Sequence, residues 1–493
     1  MNILIASSEA VPFAKTGGLA DVSGALPVAL KRQGIDISLF MPAYRQVFQS
    51  GQPIHDTGIS FDIPVGNKIV SGRFLKSFLP DSDVPVYLVD QKHYYDREGL
   101  YNESGRDYED NCERFVFFCR AVVEGIRLLD LPVDVLHAND WQTGLIPALL
   151  HAEYQSADRY RSITTLFTIH NMAYQGWFWH WDMLLTGLDW KYFNWQQMEC
   201  HGQLNLLKTG IIFSHSISTV SPTYAQEIQT APLGCGLDGV LRDRSDVLAG
   251  ILNGIDAASW NPETDCHLPY HFGVHNWQEG KQANKGSLQA EFQLENDTRL
   301  PLIGSVGRLV DQKGWELILQ ILPEWLEKEK AQWIVLGTGD PNIEQRLQRM
   351  AEKYPHKLSV QRAFSEQLAR RIEAGCDMFL MPSQYEPCGL NQFYSLRYGS
   401  VPVVRKTGGL ADSICDLHDA DESRAANGFS FEAWDAQELN RTLHRAVGTF
   451  LNQPETWRSL VETGMKQDWS WDSSAEKYIK LYQQTIARRN TIQ

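Results

Sequence analysis

The heptapeptide Lys-Thr-Gly-Gly-Leu-Ala-Asp occurs twice in this chain, at residues 15–21 and again at 406–412. Each copy follows an apolar run, Ile3-Leu4-Ile5-Ala6 in the first case and Val401-Pro402-Val403-Val404 in the second, and precedes helical periodicity. A strand, a glycine pair and a helix start make a corner suited to anions. Glycine lets a ligand approach the backbone, and the helix N-terminus presents N–H groups and partial positive charge. One isolated Gly-Gly pair would read as an ordinary strand-to-helix turn. Two copies, each led by a lysine and lying in opposite halves of a 493-residue chain, point instead to two similar α/β domains.

Hydropathy spacing supports that division. In the first half, strands are expected at 2–7, 37–41, 86–89, 133–137, 164–170 and 216–220, with helices at 18–33, 110–129, 143–155, 203–213 and 222–229. Their Ile/Val/Leu-rich cores suit parallel strands covered on both faces. Residues 53–80, punctuated by Gly and Pro, read as an antiparallel excursion. The second half repeats the scheme, with strands at 302–307, 333–336, 358–361, 378–381, 401–405 and 428–431. Helices are expected between and after them at 315–330, 342–353, 366–374, 389–398, 409–417 and 436–450. The expected fold is α/β, with two doubly wound Rossmann-like domains facing an interdomain cleft. The domains are placed at 1–250 and 251–470, with a C-terminal helix in 471–493 packing across their boundary. The hinge is expected within 249–300, which is rich in Pro, Asn, Gly and His.

Composition excludes several classes. No apolar stretch approaches the ~20 residues that span a bilayer. The chain opens on a strand, without a basic region and apolar leader, so a cytoplasmic location is expected. Eight cysteines without Cys-x-x-Cys spacing argue against a zinc knuckle or disulfide scaffold, and most are expected in the core. No metal or cofactor is expected. A net charge of −15 disfavours nucleic acid and anionic membrane as partners. It leaves room for an anionic small molecule held by local cations, and a neutral polymer would be indifferent to it. Of 15 tryptophans, Trp177, Trp179, Trp181, Trp190 and Trp195 crowd one stretch. Aromatic faces suit sugar rings, but core packing is expected for most of them.

In open α/β sheets, ligands sit at the carboxyl ends of strands. The polar clusters of this chain fall there, including Ser7-Ser8-Glu9, residues 137–141, His170-Asn171 and residues 383–390. Arg308 and Lys313 bracket the turn after the 302–307 strand, a clamp for a departing diphosphate. Taken singly, each would be a solvated surface cation. Gly337-Thr338-Gly339-Asp340 is a partial Gly-x-Gly signal that also fits a generic βα turn. Phe364 suits either a nucleobase stack or the core. Glu386 precedes Pro387-Cys388-Gly389-Leu390 at a helix start, where N–H groups can hold a phosphate or sugar hydroxyl and the carboxylate can accept from a sugar diol. The alternative is an N-cap, for which Glu is a mediocre choice. His170 fits a general base, a metal ligand or the wall of a sugar pocket, although no Cys/His/Asp spacing around it suggests a metal. Asp140 ends the neighbouring strand. Asp140 and Glu386 would also suit a paired-carboxylate hydrolase, which would leave the basic pair without a purpose.

Taken together, these residues resemble the bacterial glycogen synthases and plant starch synthases, retaining glycosyltransferases of two-Rossmann-domain (GT-B) architecture. The similarity spans essentially the whole chain. It rests on the first heptapeptide, His170-Asn171-Met172-Ala173-Tyr174-Gln175-Gly176, Asn253-Gly254-Ile255-Asp256, Arg308 with Lys313, Glu386-Pro387-Cys388-Gly389-Leu390 and Thr407-Gly408-Gly409-Leu410. The resemblance implies transfer of glucose from ADP-glucose to the non-reducing 4-OH of an α-1,4-glucan, with the first domain on the acceptor side and the second on the donor side. It places Lys15 and Gly18 beside donor phosphates and acceptor, and Asp140, His170 and Asn253 around the glucose, with His170 near its 6-hydroxyl. It assigns Arg308 and Lys313 to the departing diphosphate. Glu386, with the backbone of Cys388, Gly389 and Leu390, would hold the glucose hydroxyls; Thr407 and Gly408 complete the binding set, and Phe364 stacks on adenine.

Two positions depart from related sequences. Tyr394 stands eight residues after Glu386, where glycosyltransferases outside this branch often carry a second carboxylate, and Asn391 replaces a threonine common in the bacterial synthases. With no side-chain nucleophile evident, a front-face displacement assisted by the leaving phosphate is expected. Rival readings are a UDP-glucose-dependent transferase of the same fold and a non-catalytic glucan-binding protein using the crowded tryptophans. A phosphorylase lacks its lysine context, and an NAD-dependent oxidoreductase lacks a full Gly-x-Gly-x-x-Gly after the first strand.

Overall fold

The computed structural model describes residues 1–422 and 424–492 and resolves two units. One runs from Met1 to Gly254 and is joined by the segment that begins at Trp471; the other is Ile255–Ser470. The first is built on nine strands: β1 (Asn2–Ala6), β2 (Asp36–Pro42), β3 (His55–Val65), β4 (Lys68–Phe78), β5 (Pro85–Asp90), β6 (Val135–Asn139), β7 (Thr164–Ile169), β8 (Ser216–Thr219) and β9 (Leu248–Gly250). Their order is β9-β8-β7-β6-β1-β2-β5-β4-β3. All neighbours from β9 to β5 pair in parallel, and β4 and β3 are added antiparallel. Ile3, Leu4, Ile5 and Ala6 are all buried, the continuous apolar run of a strand covered on both faces. The excursion at 53–80 extends this sheet. Its β3 alternates, with Phe61, Ile63 and Val65 buried and Asp62 and Pro64 exposed, because one face meets water.

The expected helix at 143–155 is broken into a tight turn at Trp141–Thr143, a short helix at Leu145–Leu149 and a wider turn at Leu150–Tyr154. The chain also stays with the first unit beyond residue 250. Ile251 N donates to Thr219 O at 2.8 Å, prolonging the β8–β9 pairing, so Asn253 belongs to this unit. The C-terminal helix (Trp471–Ile492) is tied to the same unit. Arg32 pairs with Asp472 at 2.7 Å, Ser474 Oγ donates to Leu252 O at 2.7 Å, and Tyr482 OH meets His137 Nδ1 at 2.9 Å.

The second unit carries six parallel strands: β10 (Leu302–Val306), β11 (Gln332–Leu336), β12 (Leu358–Gln361), β13 (Met378–Met381), β14 (Val401–Arg405) and β15 (Phe429–Phe431). Their order is β12-β11-β10-β13-β14-β15. Within the stretch expected to hold the hinge lies an unexpected 15-residue helix, Trp277–Glu291. Its buried face is polar, which erased the apolar period. Lys281 Nζ donates to the carbonyls of Glu373, Ala374 and Tyr398 at 3.1–3.2 Å and lies 2.9 Å from the Ser400 hydroxyl; burial pulls its pKa down to about 8. Lys285 pairs with Asp377 at 2.6 Å.

The tryptophans divide between core and surface. Trp315, Trp325 and Trp333 are fully buried in the second unit. Trp177, Trp179, Trp181, Trp190 and Trp195 are all exposed, against the expectation of core packing. Trp177 sits on a two-residue strand and the others on turns and short helical turns outside the main sheet, where no second layer among the described residues covers them. No helix among the described residues is long and apolar enough to cross a membrane.

Candidate functional site

Each sheet has a point where successive strands switch from one side of the first strand to the other, and the loops there form a crevice. In the first unit the switch lies between β1 and β6. The loop after β1 is pinned by Glu9, a buried carboxylate that accepts from Thr16 N at 2.5 Å, Thr16 Oγ1 at 2.5 Å, Gly17 N at 3.2 Å and Tyr101 OH at 2.6 Å. In sequence Glu9 was visible only as part of a polar strand end. A Cβ added at Gly17 or Gly18 would meet no protein atom within 4 Å, so this corner is open at the start of α1 (Gly18–Arg32). Lys15 pairs with Asp21 of its own heptapeptide at 2.6 Å.

Asp140 follows β6 with φ +56° and ψ −179°, a region almost confined to glycine and, where other residues adopt it, frequent at functional sites. Its carboxylate accepts from His170 N at 2.7 Å. Burial lifts its pKa to about 7, with Glu9 adding repulsion and the backbone N–H groups of His170 and Asn171 opposing. The His170 ring places Nε2 2.9 Å from Asn139 Oδ1. The Asn139 amide nitrogen donates to Ala6 O at 3.1 Å and His137 O at 3.4 Å, which orients its oxygen toward the ring. Burial holds His170 neutral, with its pKa pulled down to about 3. Nε2 therefore carries the proton, and Nδ1 is left as an acceptor. Such a ring suits the wall of a sugar pocket better than proton transfer near neutral pH. Asn253 is buried, and its Oδ1 has no hydrogen-bond partner among the described residues.

In the second unit the switch lies between β10 and β13. The turn after β10 ends at Gly314, whose φ is +80° and whose added Cβ would fall 2.0 Å from Pro382 O. Only glycine lets this turn lie against the loop after β13. The two loops are also joined by Gln384 N donating to Gln312 O at 2.8 Å. Lys313 and Glu386, expected to serve different groups, are thereby an ion pair at 2.6 Å, with Ser383 Oγ donating to the same carboxylate oxygen at 3.0 Å. Arg308 is exposed. Its carbonyl is held by Trp315 Nε1 at 3.1 Å, while among the described residues its guanidinium hydrogen-bonds only to Gln312 Oε1, at 3.5 Å.

The loop from Glu386 to Leu390 rests on the second heptapeptide. Gly409 N donates to Glu386 O at 3.1 Å, and a Cβ at Gly408 would fall 2.0 Å from that same carbonyl. Thr407 is buried at the start of the Gly408–Ser413 helix, and Lys406 pairs with Asp419 and Glu432. The two copies thus do different work: the first faces open space, and the second is a bed for the Glu386 loop. Leu390 occupies the N-cap position of helix Asn391–Arg397 without a side-chain bond, so Glu386 is not its N-cap. Cys388 is buried, Gly389 turns with φ +72°, and Asn391 Nδ2 donates to Val306 O at 2.8 Å. Tyr394 stacks on Trp260 at 3.6 Å and 11°, with the Arg370 guanidinium 4.1 Å from the Trp260 ring. An aromatic stack occupies the position of the second carboxylate. Gly337 and Gly339 have a steric reason to be glycine, since added Cβ atoms would fall 1.9 Å from Gly307 O and 2.3 Å from Leu309 O. Phe364 is 95% exposed and not a core residue.

The starch synthase catalytic domain family matches residues 2–243, and the glycosyl transferases group 1 family matches residues 288–467. The glycogen synthase of Rhodopirellula baltica is 49% identical over 99% of this chain and 98% of that protein. The glycogen synthase of Syntrophotalea carbinolica is 44% identical over 99% of each. The catalytic domain of starch synthase IV from Arabidopsis thaliana, solved bound to ADP and acarbose, superimposes with a TM-score of 0.88 at 33% identity over 99% of both chains.

Proposed function

The chain belongs to the family of bacterial glycogen synthases and plant starch synthases, which are glycosyltransferases, and from that premise we propose that it transfers glucose from ADP-glucose to the non-reducing 4-OH of an α-1,4-glucan with retention of configuration. The observation that carries this reading is the cationic turn after β10, where an exposed Arg308 stands beside a lysine already matched to a carboxylate. The ADP and acarbose in the plant structure supply the ligand classes.

Cleaving a glycosyl–phosphate bond builds negative charge on the diphosphate and oxocarbenium character on the sugar. Arg308 and Lys313 neutralise the first. As Lys313 turns toward phosphate, Glu386 is released to accept from the glucose hydroxyls. The backbone of Cys388, Gly389 and Leu390, with Thr407 and Gly408, lines the same loop, and Phe364 stacks on adenine. In the first unit the His170 Nδ1 lone pair accepts the 6-hydroxyl, Asp140 and Asn253 line the glucose, and Lys15 and Gly18 meet donor phosphates and acceptor. The acceptor oxygen bonds to C1 on the face that the phosphate leaves, and its proton passes to the departing phosphate oxygen. A cytoplasmic location accompanies this reading.

Incubation of a short maltooligosaccharide with ADP-glucose and, in parallel, UDP-glucose, followed by mass analysis, tests it. Chain extension with ADP-glucose and slow extension with UDP-glucose are expected. Faster extension with UDP-glucose would overturn the donor assignment. Retained polymer binding with no ADP release would favour a glucan-binding protein.

A further inference from the structure

The first unit carries a surface that the transfer chemistry leaves unused. Trp179, Trp181 and Trp190 are 63%, 48% and 42% exposed. Their rings form one band. Trp179 lies 6.4 Å from Trp181, Trp181 lies 5.4 Å from Trp190, and Trp190 lies 5.1 Å from Phe193. His180 fills the angle between the first two, 5.4 Å from each. Contiguous exposed aromatics of this kind mark a binding surface.

The band stands on a braced base. The Trp177–Phe178 strand pairs with Gln203–Asn205, which pairs in turn with Glu199–Cys200. Lys208 Nζ donates to the carbonyls of Trp195 at 2.5 Å and Glu199 at 2.6 Å, and Asp189 accepts from Lys191 N at 2.8 Å. Phe178 packs 5.6 Å from Trp141, the residue next to Asp140, so the base is continuous with the loop that carries the sugar-site candidates.

Tryptophan offers a flat apolar face with a polar edge, which matches a pyranose with its face of C–H groups and rim of hydroxyls. Asp182 and Asp189 flank the rings, with Lys191 as the cation in this stretch. That balance repels an anionic membrane or nucleic acid, while carboxylates accept hydrogen bonds from neutral sugars. We propose that the Trp179–Trp181–Trp190 band is a docking site for an α-1,4-glucan chain, apart from the point of transfer, that keeps the polymer on the enzyme. The choice of ligand rests on the glucan-substrate reading above.

The test compares wild type with Trp179→Ala/Trp181→Ala and with Trp181→Phe, in native gels containing glycogen and in kinetics with maltotriose and ADP-glucose. The double variant should bind glycogen about tenfold or more weakly, the scale of losing paired tryptophan anchors, while maltotriose kinetics stay within about twofold. Trp181→Phe, which keeps a flat face, should retain most of the glycogen affinity. Unchanged glycogen retardation in the double variant would overturn the proposal. So would an equal loss with maltotriose, or a fall in molecular mass by light scattering without loss of glycogen binding, which would make the band a protein interface. Retardation needs no turnover, so a wild type that fails to extend maltotriose would strike the transfer reading and leave the docking measurement standing.

Discussion

Replacing Glu386 by Gln separates two roles that the Lys313–Glu386 pair joins. The charges are 2.6 Å apart, and the two side chains retain only 26% and 8% of their exposure. At an effective dielectric of about 20, unit charges about 3 Å apart attract by about 5 kcal/mol. Desolvation of the carboxylate and the partial exposure of Lys313 reduce the net to about 1–2 kcal/mol. A diphosphate must compete with the carboxylate for Lys313, so in the wild type that energy opposes nucleotide binding. Glu386→Gln keeps the side-chain shape and an acceptor for Ser383 but removes the charge. ADP should therefore bind about 5–30-fold more tightly by titration calorimetry, while kcat for glucose transfer falls about 100-fold or more because the acceptor of the sugar hydroxyls is weakened. Lys313→Ala should weaken ADP binding, and the double variant should bind ADP as Lys313→Ala does, a non-additive cycle. Weaker ADP binding in Glu386→Gln, or strict additivity in the cycle, would refute the competition.

Arg308→Ala should lower kcat about 100-fold while leaving Tm within about 2 °C of wild type, because the guanidinium is exposed; a large fall in Tm would reveal a structural role instead. Asp140→Asn should be close to neutral for stability below about pH 4 and increasingly stabilising from there to about pH 7, above which the gain levels off. The carboxyl of Asp140 has a folded pKa raised to about 7. The stability this contributes is complete below its unfolded pKa of about 4 and is lost as pH rises through about 7, a loss the amide does not suffer. Thermal melts across that range check it, and a difference independent of pH would contradict the shift. Gly314→Ala must place a side chain at φ +80° within 2.0 Å of Pro382 O, so denaturant unfolding should show a loss of about 2 kcal/mol or more. An unchanged midpoint would mean that the turn after β10 does not lie against the loop after β13.

Much of this protein is written locally in its sequence. Strands covered on both faces must be apolar run by run, so β10 to β15 and most strands of the first sheet are visible as short, mostly apolar segments, and the polar residues that end them mark where a ligand can sit. The motifs at Lys15, His170, Arg308 and Glu386 likewise carry their chemistry within a few residues. Where a buried surface is polar, as with Lys281 and Lys285 on the Trp277–Glu291 helix, periodicity says nothing, because the compensating carbonyls and carboxylate come from segments about a hundred residues away.

Tertiary structure alone decided what those local pieces do. Strand order set the two switch points, and the approach of the loops after β10 and β13 made an ion pair of Lys313 and Glu386, which are 73 residues apart. Identical heptapeptides took different roles because one faces open space and the other supports the Glu386 loop. The crowded tryptophans became a surface because no layer among the described residues covers them. Whether a distant segment makes contact, as in the Lys313–Glu386 pair, or stays away, as at the tryptophans, is settled between residues far apart in the chain, and such approaches leave no periodic trace in the order of amino acids.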